Sequence, residues 1–103
     1  MKDKAMTYMG FARKAGVLVF GTRACMDSME KGRARLVIFT GDMAENSKKK
    51  IGKVAEKTGT KTVTFGTGEE LSQITGTAGR NVFAVNDEHF ADIILQEIDA
   101  GTQ

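Results

Sequence analysis

The stretch Val17–Thr40, VLVFGTRACMDSMEKGRARLVIFT, decides the fold. Val17 to Phe20 is a short apolar strand that stops at Gly21. From Thr22 to Lys31 the period changes to that of a helix. Thr22, Cys25, Met26 and Met29 share its inner face, and Arg23, Asp27 and Glu30 its outer face. Gly32 ends it. Leu36 to Thr40, LVIFT, is then an unbroken apolar run with β-branched residues. Such a run is expected of a central strand covered on both faces.

Working outward, the same alternation continues. Asp3 can cap a helix that runs to about Lys14, with Gly16 just past its end. Ala5, Met6, Met9 and Ala12 are spaced for one face of it. Beyond Thr40 the loop GDMAENS leads to a third helix, capped by Asn46 or Ser47 and ending near Thr58 before Gly59. Ile51, Val54, Ala55 and Thr58 are expected inward. Lys49, Lys53 and Lys57 fall on one outer stripe. Lys61 to Phe65 reads as a strand. Thr67-Gly68-Glu69-Glu70 reads as a capping box that opens a fourth helix, with Leu71 and Ile74 as its apolar residues. After the glycine-rich loop TGTAGRN comes a strand, Val82 to Val85. Asn86 or Asp87 caps a last helix with Phe90, Ile93, Ile94 and Ile98 inward. Helices alternating with strands predict an α/β chain, a three-layer α/β/α sandwich. Its length, 103 residues, predicts a single domain over residues 1–103.

Composition narrows the function. Apolar content of 41% and charged content of 27% are those of a folded chain, not a disordered one. No apolar run approaches the ~18 residues of a membrane span. The N-terminal MKDKAMTYMGFARKAG lacks the apolar stretch of a signal peptide. A lone cysteine, Cys25, fits a reducing cytoplasm. With one His and one Cys, neither a zinc site nor any metal site is expected. His89 reads as a half-exposed residue at a helix start, and Cys25 as a small core residue. Asp42 and Glu45 are an ordinary pair of loop carboxylates. No nucleophile, base and orienting group fall together, so no catalytic residue and no enzyme activity are expected. Gly66-Thr67-Gly68 resembles part of a dinucleotide fingerprint. Leu71 stands where its third glycine belongs, and Glu69 and Glu70 would repel phosphate. No cofactor and no small-molecule substrate are expected.

The net charge of +2 is small, but its distribution is uneven. Arg13, Lys14, Arg23, Lys31, Arg33, Arg35 and the run Lys48-Lys49-Lys50 with Lys53 and Lys57 precede residue 60. From Glu69 onward the one cation is Arg80. One basic face and one acidic end follow. Lys48, Lys49, Lys50 and Lys53 have few acidic neighbours, so they form a positive patch suited to phosphate. Gly21-Thr22-Arg23 adds an uncapped helix start. Gly21 admits close approach, the helix end offers free N–H groups, and Arg23 offers a planar fork for phosphate or a guanine edge.

Several of these pieces together resemble the bacterial YlxQ-type branch of the ribosomal L-seven-A-e / L-thirty-e superfamily. They are Ala12-Arg13-Lys14-Ala15-Gly16, Gly21 at a helix start, and Gly32 with basic residues before an apolar strand. Asp42 followed by Asn46-Ser47-Lys48-Lys49-Lys50, and Glu70-Leu71 up to Gly76, complete the set. The likeness covers about residues 4 to 95. It implies a four-stranded mixed sheet with helices on both faces, and a non-catalytic cytoplasmic protein that binds structured RNA. The implied RNA is a kink-turn or a related ribosomal RNA element, with possible ribosome association. Kink-turn binders of that superfamily use Gly-x-Asn-Glu-x-x-Lys at the start of the second helix. The corresponding positions here are Gly21, Arg23, Ala24 and Asp27, and the glycine alone is kept. The resemblance also implies RNA contacts from the loop Thr75 to Asn81, which carries Gly79 and Arg80, and from the loop at Asp42. The expected RNA-binding set is therefore Gly21, Thr22, Arg23, Asp42, Lys48, Lys49, Lys53, Gly79 and Arg80. The alternative is a protein-interaction module of the translation or transcription apparatus, presenting the acidic, isoleucine-rich last helix.

Overall fold

The structure is a computed structural model that describes the backbone of residues 2–101 and the side chains of residues 4–101. Among the described residues nine elements alternate as expected: α1 Lys2–Lys14, β1 Leu18–Phe20, α2 Thr22–Glu30, β2 Leu36–Phe39, α3 Glu45–Thr58, β3 Thr62–Thr64, α4 Gly68–Thr75, β4 Val82–Val85 and α5 Glu88–Gly101. The sheet order is β1-β4-β2-β3. β4 runs antiparallel to both β1 and β2, and β2 runs parallel to β3. The four-stranded sheet is therefore mixed, and β2 and β4 are its interior strands.

Strand periodicity divides the core in two. Leu36 and Ile38 of β2, with Phe83 and Val85 of β4, point to the layer of α1, α4 and α5. Val37 and Phe39, with Val82 and Ala84, point to the layer of α2 and α3. All eight are buried, which is why LVIFT shows no polar alternation. Edge strand β3, TVT, is largely exposed and reads as threonine-rich.

Helix ends follow local chemistry. Gly16 adopts φ +77°, and the N–H groups of Gly16 and Val17 return to the carbonyls of Arg13 and Ala12, closing α1. Gly32, Gly59 and Gly76 close α2, α3 and α4 with the same left-handed turn. The capping box is present: Thr67 Oγ1 accepts from the Glu70 N–H, and Glu70 Oε1 accepts from the Thr67 N–H. Asp87 caps α5, its Oδ2 accepting from the Phe90 N–H at 2.8 Å.

Several positions differ from the sequence reading. The α1 backbone is already helical at Lys2, so Asp3 lies inside it; the Asp3 side chain is outside the described residues. α3 starts at Glu45, earlier than an Asn46 or Ser47 cap allows, and its N-cap is Ala44 with no side-chain bond. Thr22 and Thr58 are exposed rather than inward. Thr58 turns its hydroxyl back to the Val54 carbonyl at 2.8 Å. Ile74 is 43% exposed, while Ser72 and Thr75 are buried in its place. Hydrophobic periodicity does not mark these two, because a serine or threonine enters a core only with a specific partner. Thr75 donates to the Leu71 carbonyl, and Ser28 of α2 is buried with its hydroxyl on Asn86 Oδ1 at 2.6 Å. On α5, Ile94 and Ile98 are buried in the core. The isoleucine-rich face expected for a protein partner is thus spent largely on the fold.

Candidate functional site

β1 ends at Phe20, and Gly21 turns the chain into α2 with φ +92° and ψ 156°, a region open essentially to glycine alone. The Gly21 N–H is held by the Val82 carbonyl at 3.0 Å. No side chain caps α2, and its first turn carries no acidic residue. The N–H groups at this helix end stay available to an outside acceptor, and the end carries the positive pole of the helix dipole.

Three loops converge there. Gly21 and Thr22 share a small cleft with Met43 and Ala44 of the β2–α3 loop, with Ser47 in the first turn of α3, and with Gly79 to Val82. Arg80 is fixed more firmly than a loop arginine usually is. The buried Ser72 hydroxyl donates to the Arg80 carbonyl at 3.2 Å and accepts from the Arg80 N–H at 2.9 Å. The guanidinium carbon lies 5.4 Å from the centre of the Phe20 ring. A Cβ at Gly21 would stand 3.1 Å from Arg80 Nη1, so a side chain there would crowd the guanidinium.

Arg23 stands on the crest of α2 between two open grooves. One, of about 470 Å³, runs past Phe20, Gly21, Ala24, Asp27 and Arg80. The other, of about 410 Å³, runs past Met26 and Glu30 to Lys50 of α3. Among the described residues Arg23 makes no ion pair. Asp27 is engaged with Lys31, whose Nζ lies 3.1 Å from its Oδ2. That exposed pair offsets the negative charge one turn into the helix, at a place where an anion would otherwise be repelled.

The remaining expected residues separate. Asp42 turns away from α2: its Oδ1 accepts from the Gly68 N–H at 2.9 Å, at the start of α4. The Thr40 hydroxyl and the Gly68 N–H hold its carboxyl below the ordinary carboxylate range. The same Thr40 hydroxyl also lies 3.3 Å from Asn81 Oδ1, so one proton serves two acceptors. Lys48 is half-buried, its Nζ 5.8 Å from the centre of the Phe39 ring. Lys49 and Lys53 are exposed but line neither groove beside α2. Lys50 does. Helical phase could have found it: with Ile51 and Ala55 inward, Lys50 shares a flank with the half-buried Val54. The glycine-rich start of α4 is closed to phosphate, since Glu70 and Asp42 already take the N–H groups of Thr67 and Gly68.

The Asp42 geometry makes a testable statement about pH. A carboxyl whose folded pKa is depressed contributes stability above its unfolded value, near 3.9, and loses it as pH falls through the folded one. Asp42→Asn is therefore less stable than the native protein at pH 7. The two converge in urea midpoint as the pH drops below that range.

The sequence model of the Ribosomal protein L7Ae/L30e/S12e/Gadd45 family matches residues 3–95. The chain belongs to that family. Among curated proteins this L7Ae-family chain is 29% identical over 90 residues to "RNA-binding protein YlxQ" of Enterococcus faecium, covering 87% of this chain and 86% of that one. A solved structure of a protein of unknown function from Bacillus halodurans superposes with a TM-score of 0.89 at 25% identity, covering 93% and 97% of the two chains. The Giardia lamblia 15.5kD RNA binding protein superposes with a TM-score of 0.75 at 14% identity, covering 94% and 83%. This last likeness is one of fold. The fold expectation stands: an L7Ae-type sandwich of five helices and a mixed four-stranded sheet.

Burial pushes the Cys25 thiol up to about 12, which keeps it a thiol, and its Sγ faces the Val19 carbonyl at 3.9 Å. A thiol in that state is a poor nucleophile. Among the described residues, no three metal-ligating side chains gather. No helix among them is long and apolar enough to cross a membrane.

Proposed function

We propose that this protein is a non-catalytic, cytoplasmic RNA-binding protein that grips structured RNA through the N-terminus of α2 and the loops beside it. The observation that carries the reading is the crest of α2. An uncapped helix start with an unpaired Arg23 lies between two open grooves, one edged by Arg80 and the other by Lys50. Membership of the family and the relatives named as RNA-binding support it. The backbone of the RNA would meet the free N–H groups and the guanidinium of Arg80, as phosphates meet helix starts elsewhere. Arg23 would take a guanine edge in bidentate fashion or a second phosphate. The target is a kink-turn or a related ribosomal RNA element, and the setting is the ribosome. Arg23, Ala24 and Asp27 replace the asparagine, glutamate and lysine of the usual kink-turn pattern. Readout here thus leans on arginine and on RNA shape. Lys48, Lys49 and Lys53 widen the basic surface without entering the grooves.

Fluorescence anisotropy against a labelled kink-turn, a duplex of equal length and a single strand tests this at two salt concentrations. The kink-turn binds tightest, and Arg23→Ala weakens it by roughly tenfold or more, as expected for a charged hydrogen-bonding partner. Lys50→Glu weakens binding more than Lys53→Glu, because Lys50 alone of the two lines a groove. Equal weak binding to all three RNAs would reduce the function to a non-specific basic face. No binding at moderate salt would overturn the RNA reading and leave a protein partner.

A further inference from the structure

Phe20 holds two arginines, not one. The Arg13 guanidinium carbon lies 5.1 Å from the centre of the Phe20 ring, and that of Arg80 lies 5.4 Å from the same centre. The two come from distant parts of the chain. Arg13 projects from the last turn of α1, where a cation is favoured by the negative end of the helix. Arg80 projects from the loop before β4. One ring therefore keeps both guanidinium groups close to it, 5.1 Å and 5.4 Å from its centre. Among the described residues neither is in an ion pair. Both residues are exposed.

Two like charges gathered on one ring repel each other. The negative face of an aromatic ring attracts cations and offsets part of this repulsion. A polyanion would offset it further, and by more. Phe20 and Arg80 line the groove at Gly21, and Arg13 joins them through the Phe20 ring.

We infer that Arg13, Phe20 and Arg80 form an extension of the RNA surface that binds the phosphodiester backbone beyond the α2 end. Phe20 acts as the positioning residue that keeps the two guanidinium groups together before RNA arrives. The inference rests on the RNA-binding reading above and adds to it a contact from α1, an element that the kink-turn pattern leaves out. Ordering two long side chains in the free protein removes part of the entropic cost of binding. Arginine suits the task better than lysine, because its planar fork stacks on the ring and bridges phosphate oxygens at once.

The test measures binding of a labelled kink-turn RNA by anisotropy as a function of salt, for the native protein, Arg13→Ala, Arg13→Lys and Phe20→Leu. Arg13→Ala lowers affinity roughly tenfold. It also flattens the log–log salt slope by about 0.7–0.9, because one phosphate is no longer neutralised. Arg13→Lys restores the slope but not the full affinity. Phe20→Leu keeps every charge, so its slope is native while its affinity falls. Thermal melting by circular dichroism checks the fold of each variant. Phe20 is half-buried; if Phe20→Leu unfolds, the two Arg13 variants, altered only at an exposed side chain, decide the matter. If the native protein binds RNA and Arg13→Ala matches it in affinity and slope, the inference falls while the RNA-binding reading stands. If the native protein binds none of the RNAs, both fall.

Discussion

Gly21→Val yields a protein that still folds but binds structured RNA ten- to a hundredfold more weakly. The turn at Gly21 sits at φ +92° and ψ 156°. A side chain there costs on the order of 1–3 kcal/mol of strain, less than a typical domain's stability of about 5–15 kcal/mol. The branched side chain would also meet Arg80, whose Nη1 would stand 3.1 Å from the new Cβ. The Arg80 guanidinium is pushed aside, which disturbs its position over the Phe20 ring. The free N–H groups of α2 are crowded by the same atoms. Losing one charge-assisted hydrogen bond of about 1.5–3 kcal/mol accounts for a drop of that size. Gly79→Ala is the useful comparison. It introduces backbone strain in the same loop system, at φ +63°, but its Cβ would meet nothing within 4 Å. A comparable drop in stability with much smaller loss of RNA affinity separates strain from obstruction. Equal affinity losses for the two variants would show that backbone strain alone, not displacement of Arg80, weakens binding.

Phe83→Ala has the largest effect on stability, about 3–5 kcal/mol. Phe83 is wholly buried on interior strand β4, in the cluster formed with α1, α4 and α5. It pairs in register with Phe20 of β1 and with Ile38 of β2, so strands on both sides lose packing. A cavity forms under three helices that cannot all close on it. Urea denaturation followed by circular dichroism shows the midpoint falling with little change in slope. A loss below ~1 kcal/mol would mean that the helical layer collapses into the space. Phe83 also lies on the strand that Arg80 and Asn81 lead into, so RNA binding of this variant weakens only as far as the fold loosens.

The candidate site is legible in the sequence to the extent that its parts are local. Gly21 and Thr22 are where a strand gives way to a helix, and Arg23 falls on the outer face by helical phase alone. Gly79 and Arg80 belong to a loop that glycine and asparagine mark plainly. Asp42 is held at the start of α4 for a physical reason. A carboxylate in a loop takes whichever N–H groups come nearest, and the nearest is the start of α4, far along the chain. The lysines show the same limit. A run of charge announces a basic surface, but Lys50 lines a groove while Lys48 lies against Phe39. That division depends on how α2 and α3 pack.

By itself the sequence determined the order of elements, the buried strands and most of the helix ends. Period, β-branched runs, left-handed glycines and the Thr67–Glu70 box act within a few residues of one another, and tertiary packing overrules period only at single positions such as Thr22, Thr58 and Ile74. It also determined that the chain is basic at one end and acidic at the other. Only the tertiary structure decided which side chains meet. Ser72 holds the backbone of Arg80, Phe20 gathers Arg13 and Arg80, and Ser28 finds Asn86 across the chain. Each of these contacts joins residues from separate elements. Their geometry is set by strand order and helix packing, which no local pattern of residues encodes.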